Sequence, residues 1–275
     1  MNTYIQQRLC VGLAQRGGLG KSMFAACLAQ WLDHHATTWA GFDLDRDHRS
    51  FSRLFPGTVE PIEIGQEPVG DFVKVLRRLG AGPVVIFDLR AHMASLWLEA
   101  AEITQFTSMY AKAGGRVTAV LFPSDDLEVM SHLDTTVSQL GNTVDYLVVR
   151  NLGRSAYTRM LDGSELETEL KRLKAGFLEL PALISVARNC IAAKETEAGR
   201  DITPVEIVGN KELGMDPMTR IVVEHWLRTV FRRLDSVAHL LLPTLLAEKI
   251  QAVTTSEPST YAPNPRGARL NFKGI

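Results

Sequence analysis

Lys21 and Ser22 close a stretch, Gln15-Arg16-Gly17-Gly18-Leu19-Gly20-Lys21-Ser22, in which three of the preceding four residues are glycine. Glycines let successive backbone N–H groups turn toward one point, and a helix N-terminus at that point adds partial positive charge. The pattern suits the phosphates of a nucleotide. The amides of Gly17, Gly18, Leu19, Gly20, Lys21, Ser22 and Met23 are the candidate cradle, Lys21 the partner of the β- and γ-phosphate oxygens, and the Ser22 hydroxyl a ligand for Mg2+. A second signal is Asp88, which ends the apolar run Pro83-Val84-Val85-Ile86-Phe87. A strand buried on both faces delivers its last carboxylate to the sheet edge, where it would hold Mg2+ mostly through water. A third is Asp43-Leu44-Asp45-Arg46-Asp47 after Thr38-Trp39-Ala40-Gly41-Phe42. Carboxylates at the C-terminal end of a parallel strand face the crevice where ligands bind. Asp47 and His48 carry no assigned role and read as exposed loop, and Arg90 and His92 could face the γ-phosphate but are not assigned to it.

These residues need strands to aim them and helices to cover the strands. Leu9 to Ala14 is a short apolar run before the glycines. From Lys21 to His35, Phe24, Ala25, Cys27, Leu28, Trp31 and Leu32 recur at helical spacing, a core stripe. Further strands are expected at Val59–Gly65, Arg116–Pro123, Val144–Asn151 and Phe177–Leu183. Helices are expected at Val69–Leu79, Met93–Ala113, Leu127–Leu140 with Asp125 or Asp126 as N-cap, Ser164–Ala175, Ser185–Gly199 and Pro217–Leu246 with a break at Pro243. The alternation predicts an α/β fold: a doubly wound, mostly parallel sheet flanked by helices, in one domain over 1–253. Residues 254–275, rich in Ser, Thr, Pro, Asn and Gly, are expected to be a flexible, disordered tail.

Length and composition bound the reading. A chain of 275 residues, 45% of them apolar, can bury a substantial core. A net charge of -1 gives no global case for nucleic acid. Arg220, Arg228, Arg232 and Arg233 could line a stripe for DNA phosphates or form an ordinary solvated face. Cys10, Cys27 and Cys190 have no metal or redox spacing. The polar start, and the lack of an apolar run near the ~20 residues a membrane span needs, predict a cytoplasmic protein.

The glycine stretch lacks the glycine that a strict P-loop has at the position of Gln15. It resembles the deviant Walker A motif of the MinD/ParA family of P-loop ATPases, usually written Lys-Gly-Gly-x-Gly-Lys-Thr/Ser. The resemblance spans about Leu9 to Thr203. It implies ATP and Mg2+ as ligands, slow, partner-stimulated hydrolysis to ADP and phosphate, and a homodimer in the ATP state. It also implies that Arg16, in place of the signature lysine, reaches the partner's phosphates; that Asp43 lies near the metal with Ser22 and Asp88; that Asp45 positions the attacking water; and that Asn151 reads the adenine. A turn-closing Asn before Gly153 is the alternative for Asn151. The family continues its strand-tip Asp as Asp-x-Pro-x-Gly, whereas this chain reads Asp88-Leu89-Arg90-Ala91-His92. The expected role is an ATP-dependent switch with a partner protein or cargo adaptor, in positioning, plasmid partition or conjugative transfer, with non-specific DNA as a further contact. The alternatives are a membrane-associated positioning or secretion-linked ATPase of the same fold, with membrane contact, and a non-hydrolysing ATP-sensing scaffold.

Overall fold

The computed structural model describes residues 4–79, 82–154 and 158–256. Seven strands form one sheet: β1 (Gln7–Leu13), β2 (Trp39–Asp43), β3 (Val59–Pro61), β4 (Val84–Asp88), β5 (Gly115–Leu121), β6 (Asp145–Asn151) and β7 (Gly176–Leu180). Their order is β3-β2-β4-β1-β5-β6-β7, and every pairing is parallel. The sheet is thus wholly parallel, and β1 is its central strand.

The helices are α1 (Lys21–His34), α2 (Ser50–Leu54), α3 (Pro68–Leu76), α4 (Ala94–Ile103), α5 (Phe106–Lys112), α6 (Leu127–Leu140), α7 (Glu165–Arg172), α8 (Ser185–Ala198), α9 (Pro204–Gly209), α10 (Pro217–Ser236), α11 (Ala238–Leu241) and α12 (Thr244–Ser256). Successive residues of a strand face opposite sides, and the two cores divide along β1. Cys10 packs with Trp31 of α1, Ala187 of α8 and Trp226, Val230 and Phe231 of α10. Leu9, Val11 and Leu13 pack with Phe72 of α3, Trp97 of α4, Leu133 of α6 and Leu170 of α7. Helices therefore cover both faces, as the alternation predicts.

Three expectations shift. The helix predicted over Met93–Ala113 is two, α4 and α5, parted where Gln105 takes φ 48°. The strand predicted over Val59–Gly65 is only Val59–Pro61. The final helical stretch breaks at Val237 and again before Thr244, and α12 then runs to Ser256, through the boundary expected at 254. The remainder of the expected tail, residues 257–275, lies outside the described residues.

Strand β7 is an edge, and α10 covers its outward carbonyls. Arg233 donates to the Glu179 C=O at 2.6 Å and Trp226 Nε1 to the Pro181 C=O at 2.7 Å, so neither carbonyl is left to template another strand. Arg220 likewise donates to the Asn210 C=O, and Arg228 pairs with Glu224. Three of the four arginines of the expected stripe therefore have partners within the chain. Among the described residues no helix is long and apolar enough to cross a membrane.

Candidate phosphate-binding site

The glycine stretch leaves the centre of the sheet and ends at α1, the geometry a phosphate cradle needs. Gly18 and Gly20 take φ 77° and 99°, a left-handed backbone that glycine adopts without strain. A Cβ on Gly20 would also lie 1.9 Å from Asn151 Nδ2. Helix α1 has Gly20 at its N-cap, no side-chain cap and no acidic residue in its first turn. Its first amides and the positive end of its dipole are thus left for an anion.

Around this N-terminus the strand tips supply charge. Asp43 and Asp88 are paired in register across β2 and β4. Both are buried, at 0% and 2% exposure, and Lys21 is buried at 8%. The Ser22 hydroxyl lies near enough to Asp88 to act on its carboxyl, and Asp88 Oδ2 has no partner. Burial pushes the Asp88 carboxyl up to about 7; the nearby Ser22 hydroxyl and Lys21 pull it down, and Asp43 and Asp45 add to the rise. Burial lowers the Lys21 ammonium below its ordinary value, against the pull of Asp88 and Asp45. Its Nζ donates to the Arg16 C=O at 3.3 Å. A buried carboxylate with an open oxygen beside a buried ammonium is a costly arrangement that a ligand would relieve.

The site opens into a cavity of about 620 Å3. Gly17, Gly18, Gly20, Lys21, Ser22 and Met23 form one part of its lining, and Asp45, Asp47, Arg90 and His92 another. The candidates Gly17, Gly18, Gly20, Lys21, Ser22, Met23 and Asp45 therefore meet at one cavity, with Asp88 reached through Ser22.

Three candidates are also engaged elsewhere. Asp43 Oδ1 accepts the Asp45 N–H at 3.0 Å and Oδ2 the Ser52 N–H at 2.8 Å, so this carboxylate shapes the loop from β2 into α2. Asn151 donates to the Leu19 C=O at 3.1 Å and accepts from the Gly153 N–H at 3.1 Å. Its amide closes the turn and also clips β6 to the glycine loop, a tie across 132 positions of chain. Arg16 pairs with Asp126, whose Oδ1 caps α6 through the Glu128 and Val129 amides.

Arg90 and His92, without an assigned role, line the cavity, as do Asp47, His48 and Arg154. Arg90 Nη2 lies 2.6 Å from Asp47 Oδ2, both side chains half-exposed. His92 takes φ 66° and donates its N–H to the Gln15 C=O at 3.0 Å, fastening the segment after β4 to the glycine loop. Only a basic residue two positions past a strand-tip Asp hinted at this, since both contacts join distant segments.

A wholly parallel sheet with this loop between its central strand and α1 defines an α/β fold of the P-loop type. No family model and no curated protein matches the chain. Among solved structures, it is similar to a nucleotide-binding protein of Archaeoglobus fulgidus in complex with ADP, at 16% identity and TM-score 0.44, covering 66% of this chain and 84% of that one. It is also similar to the MinD cell division protein of Aquifex aeolicus, at 12% identity and TM-score 0.42, covering 81% and 96%. A MinC:MinD complex from Aquifex aeolicus aligns at 12% identity and TM-score 0.43, covering 81% and 95%.

Proposed function

We propose that this chain is an ATP-dependent switch of the MinD/ParA kind that hydrolyses ATP slowly to ADP and phosphate. The observation that carries the reading is buried Asp88, one carboxylate oxygen of which has no partner, close to Ser22 and buried Lys21 at the uncapped N-terminus of α1. In this reading the amides from Gly17 to Met23 hold the β- and γ-phosphates, and Lys21 neutralises charge as it develops between them. Ser22 and Asp88 fit a Mg2+ ion, a hydroxyl and an open carboxylate oxygen being hard donors, with Asp43 behind them. The ion would neutralise phosphate charge. Asp45 positions the attacking water from the cavity wall. Catalysis of this type is mostly positioning and charge stabilisation.

The dimer belongs to the proposal. Arg16 would leave Asp126 and reach the phosphates of a second copy; the pair is exposed enough for that exchange, with Arg16 at 62%. The place of work, in plasmid partition or conjugative transfer with a partner protein or adaptor, follows from the motif resemblance. The arginines of α10 add little to a DNA role, because three of them are engaged.

Phosphate release and sedimentation with Mg·ATP test the reading. The wild type should turn over and shift to a dimer with ATP but not ADP, and Lys21→Ala should do neither. Wild-type release equal to that of Lys21→Ala, with nucleotide still bound, would leave an ATP-sensing scaffold. That second reading is favoured by the tie from His92 to Gln15, which holds the segment after Asp88 against the motion hydrolysis requires.

A further inference from the structure

We infer that Arg90 is the residue by which this site tells a nucleoside triphosphate from a diphosphate, and that Asp47 holds it in place until the third phosphate arrives. The inference rests on the nucleotide reading of the cavity and extends it to two residues that reading does not use.

Arg90 lines the same cavity as Lys21 and Ser22 and stands two residues past Asp88 at the tip of β4. The glycine-loop amides and the α1 N-terminus hold the β-phosphate and one side of the γ-phosphate, as helix N-termini do in P-loops. The terminal phosphoryl then points to the strand tips, where Asp45, Asp47 and Asp88 would repel it. Lys21, Arg90 and Arg154 are the Lys and Arg side chains lining that cavity, and of the two arginines Arg90 is the one at the tip of β4, two residues past Asp88. An arginine fork also grips phosphate oxygens two at a time.

Its present partner suits an exchange. The Arg90–Asp47 pair is 47% and 50% exposed, so water screens it and little is lost when it opens. The backbone beneath it is held: Leu89 is buried, the Met93 N–H bonds the Arg90 C=O at 3.2 Å, and His92 is tied to Gln15. The side chain alone has to swing from carboxylate to phosphate. This segment lacks Pro and Gly, so the recognition would be made by a side chain on a fixed loop and not by a loop that moves.

Calorimetric titration of the full chain with Mg2+ and either adenylyl-imidodiphosphate or ADP tests this. The wild type should prefer the triphosphate analogue, and Arg90→Ala should lose about tenfold of that preference, the scale of one charge-assisted contact. Arg90→Lys should recover part of it. Asp47→Asn frees Arg90 and should tighten the analogue roughly threefold while moving ADP less. Opposite signs for the two halves of one ion pair are what a loop clip would not give. Equal weakening of both nucleotides by Arg90→Ala and Asp47→Asn, or an unchanged preference in Arg90→Ala, overturns the inference and leaves the nucleotide site standing. Wild-type protein that binds neither nucleotide removes both.

Discussion

Buried charge occurs at both ends of the sheet, on opposite terms. At the N-terminal ends of the strands, Arg8 is 1% exposed. Its Nη1 donates to Asp145 and Thr118 and its Nη2 to the His239 C=O at 2.7 Å. Asp145 also takes Arg116 at 2.8 Å, and Thr118 donates to the Leu240 C=O. Burial alone would raise the Asp145 carboxyl, but Arg8 and Arg116 together hold it below its ordinary value. At the C-terminal ends, Asp88 keeps one oxygen without a partner, and Lys21 has a single long bond to a carbonyl. The first cluster pairs its charges within the chain, leaving only Arg8 Nε without a partner, and ties α11 to β1, β5 and β6. The second is matched only when something else enters. Equal burial thus marks scaffold at one end and a binding site at the other, and the number of internal partners tells them apart.

The largest effect expected is at the open end. Lys21→Ala should cut phosphate release by about 100-fold or more, the usual loss for one charge-stabilising donor, with little change in melting temperature. A melting point that falls steeply would mean Lys21 belongs with Arg8 as scaffold. At the closed end the signature reverses. Arg8→Leu leaves Asp145 short of its buried partner and should cost about 3 kcal/mol, read by urea unfolding. The nucleotide affinity of whatever remains folded should stay within about twofold, since additivity holds for separated sites.

The difference between these ends was only partly legible in the sequence. The glycine stretch, the apolar strands and the terminal Asp88 could be read because strand, turn and helix lie together in the chain. What completes each cluster could not. Arg8 meets Asp145 across 137 positions and Arg16 meets Asp126 across 110. No local period records such pairs. The break at Gln105 was also hidden, because Trp97, Leu98, Ile103 and Phe106 continue one apolar pattern through a residue with no helix-breaking chemistry. Helices α2 and α9, of five and six residues, are too short to show a period at all.

The open carboxylate should be visible in the pH dependence of stability. Burial raises the Asp88 pKa to about 7 in the fold, against an ordinary value of 3.8. A group raised on folding binds its proton more tightly in the folded state. Its contribution is therefore full below about pH 4 and lost as pH rises through 7. Asp88→Asn should flatten that slope and make the ligand-free protein more stable at pH 8, by about 1–2 kcal/mol. It should also remove the Mg2+ dependence of nucleotide binding. If the stability of Asp88→Asn follows that of the wild type across this range, the carboxylate is already satisfied and the contrast with Asp145 fails.

The smallest effect, and the finest test of the contrast, is at Asn151, which belongs to both kinds of region. Its Nδ2 donates to Leu19 in the glycine loop and its Oδ1 accepts from Gly153. As scaffold, it holds the cradle against β6. Asn151→Ala would then cost about 1 kcal/mol and weaken ATP and GTP alike, by about threefold or less, because the cradle is loosened and no base contact is lost. As a base reader, the same change would spare stability and erase a preference for ATP over GTP. The amide has two donors and one oxygen, and one donor and the oxygen are already engaged inside the chain. One N–H and one oxygen lone pair remain, but the two bonds already made hold the amide on the glycine loop and the Gly153 turn, so the uniform loss is the expected result.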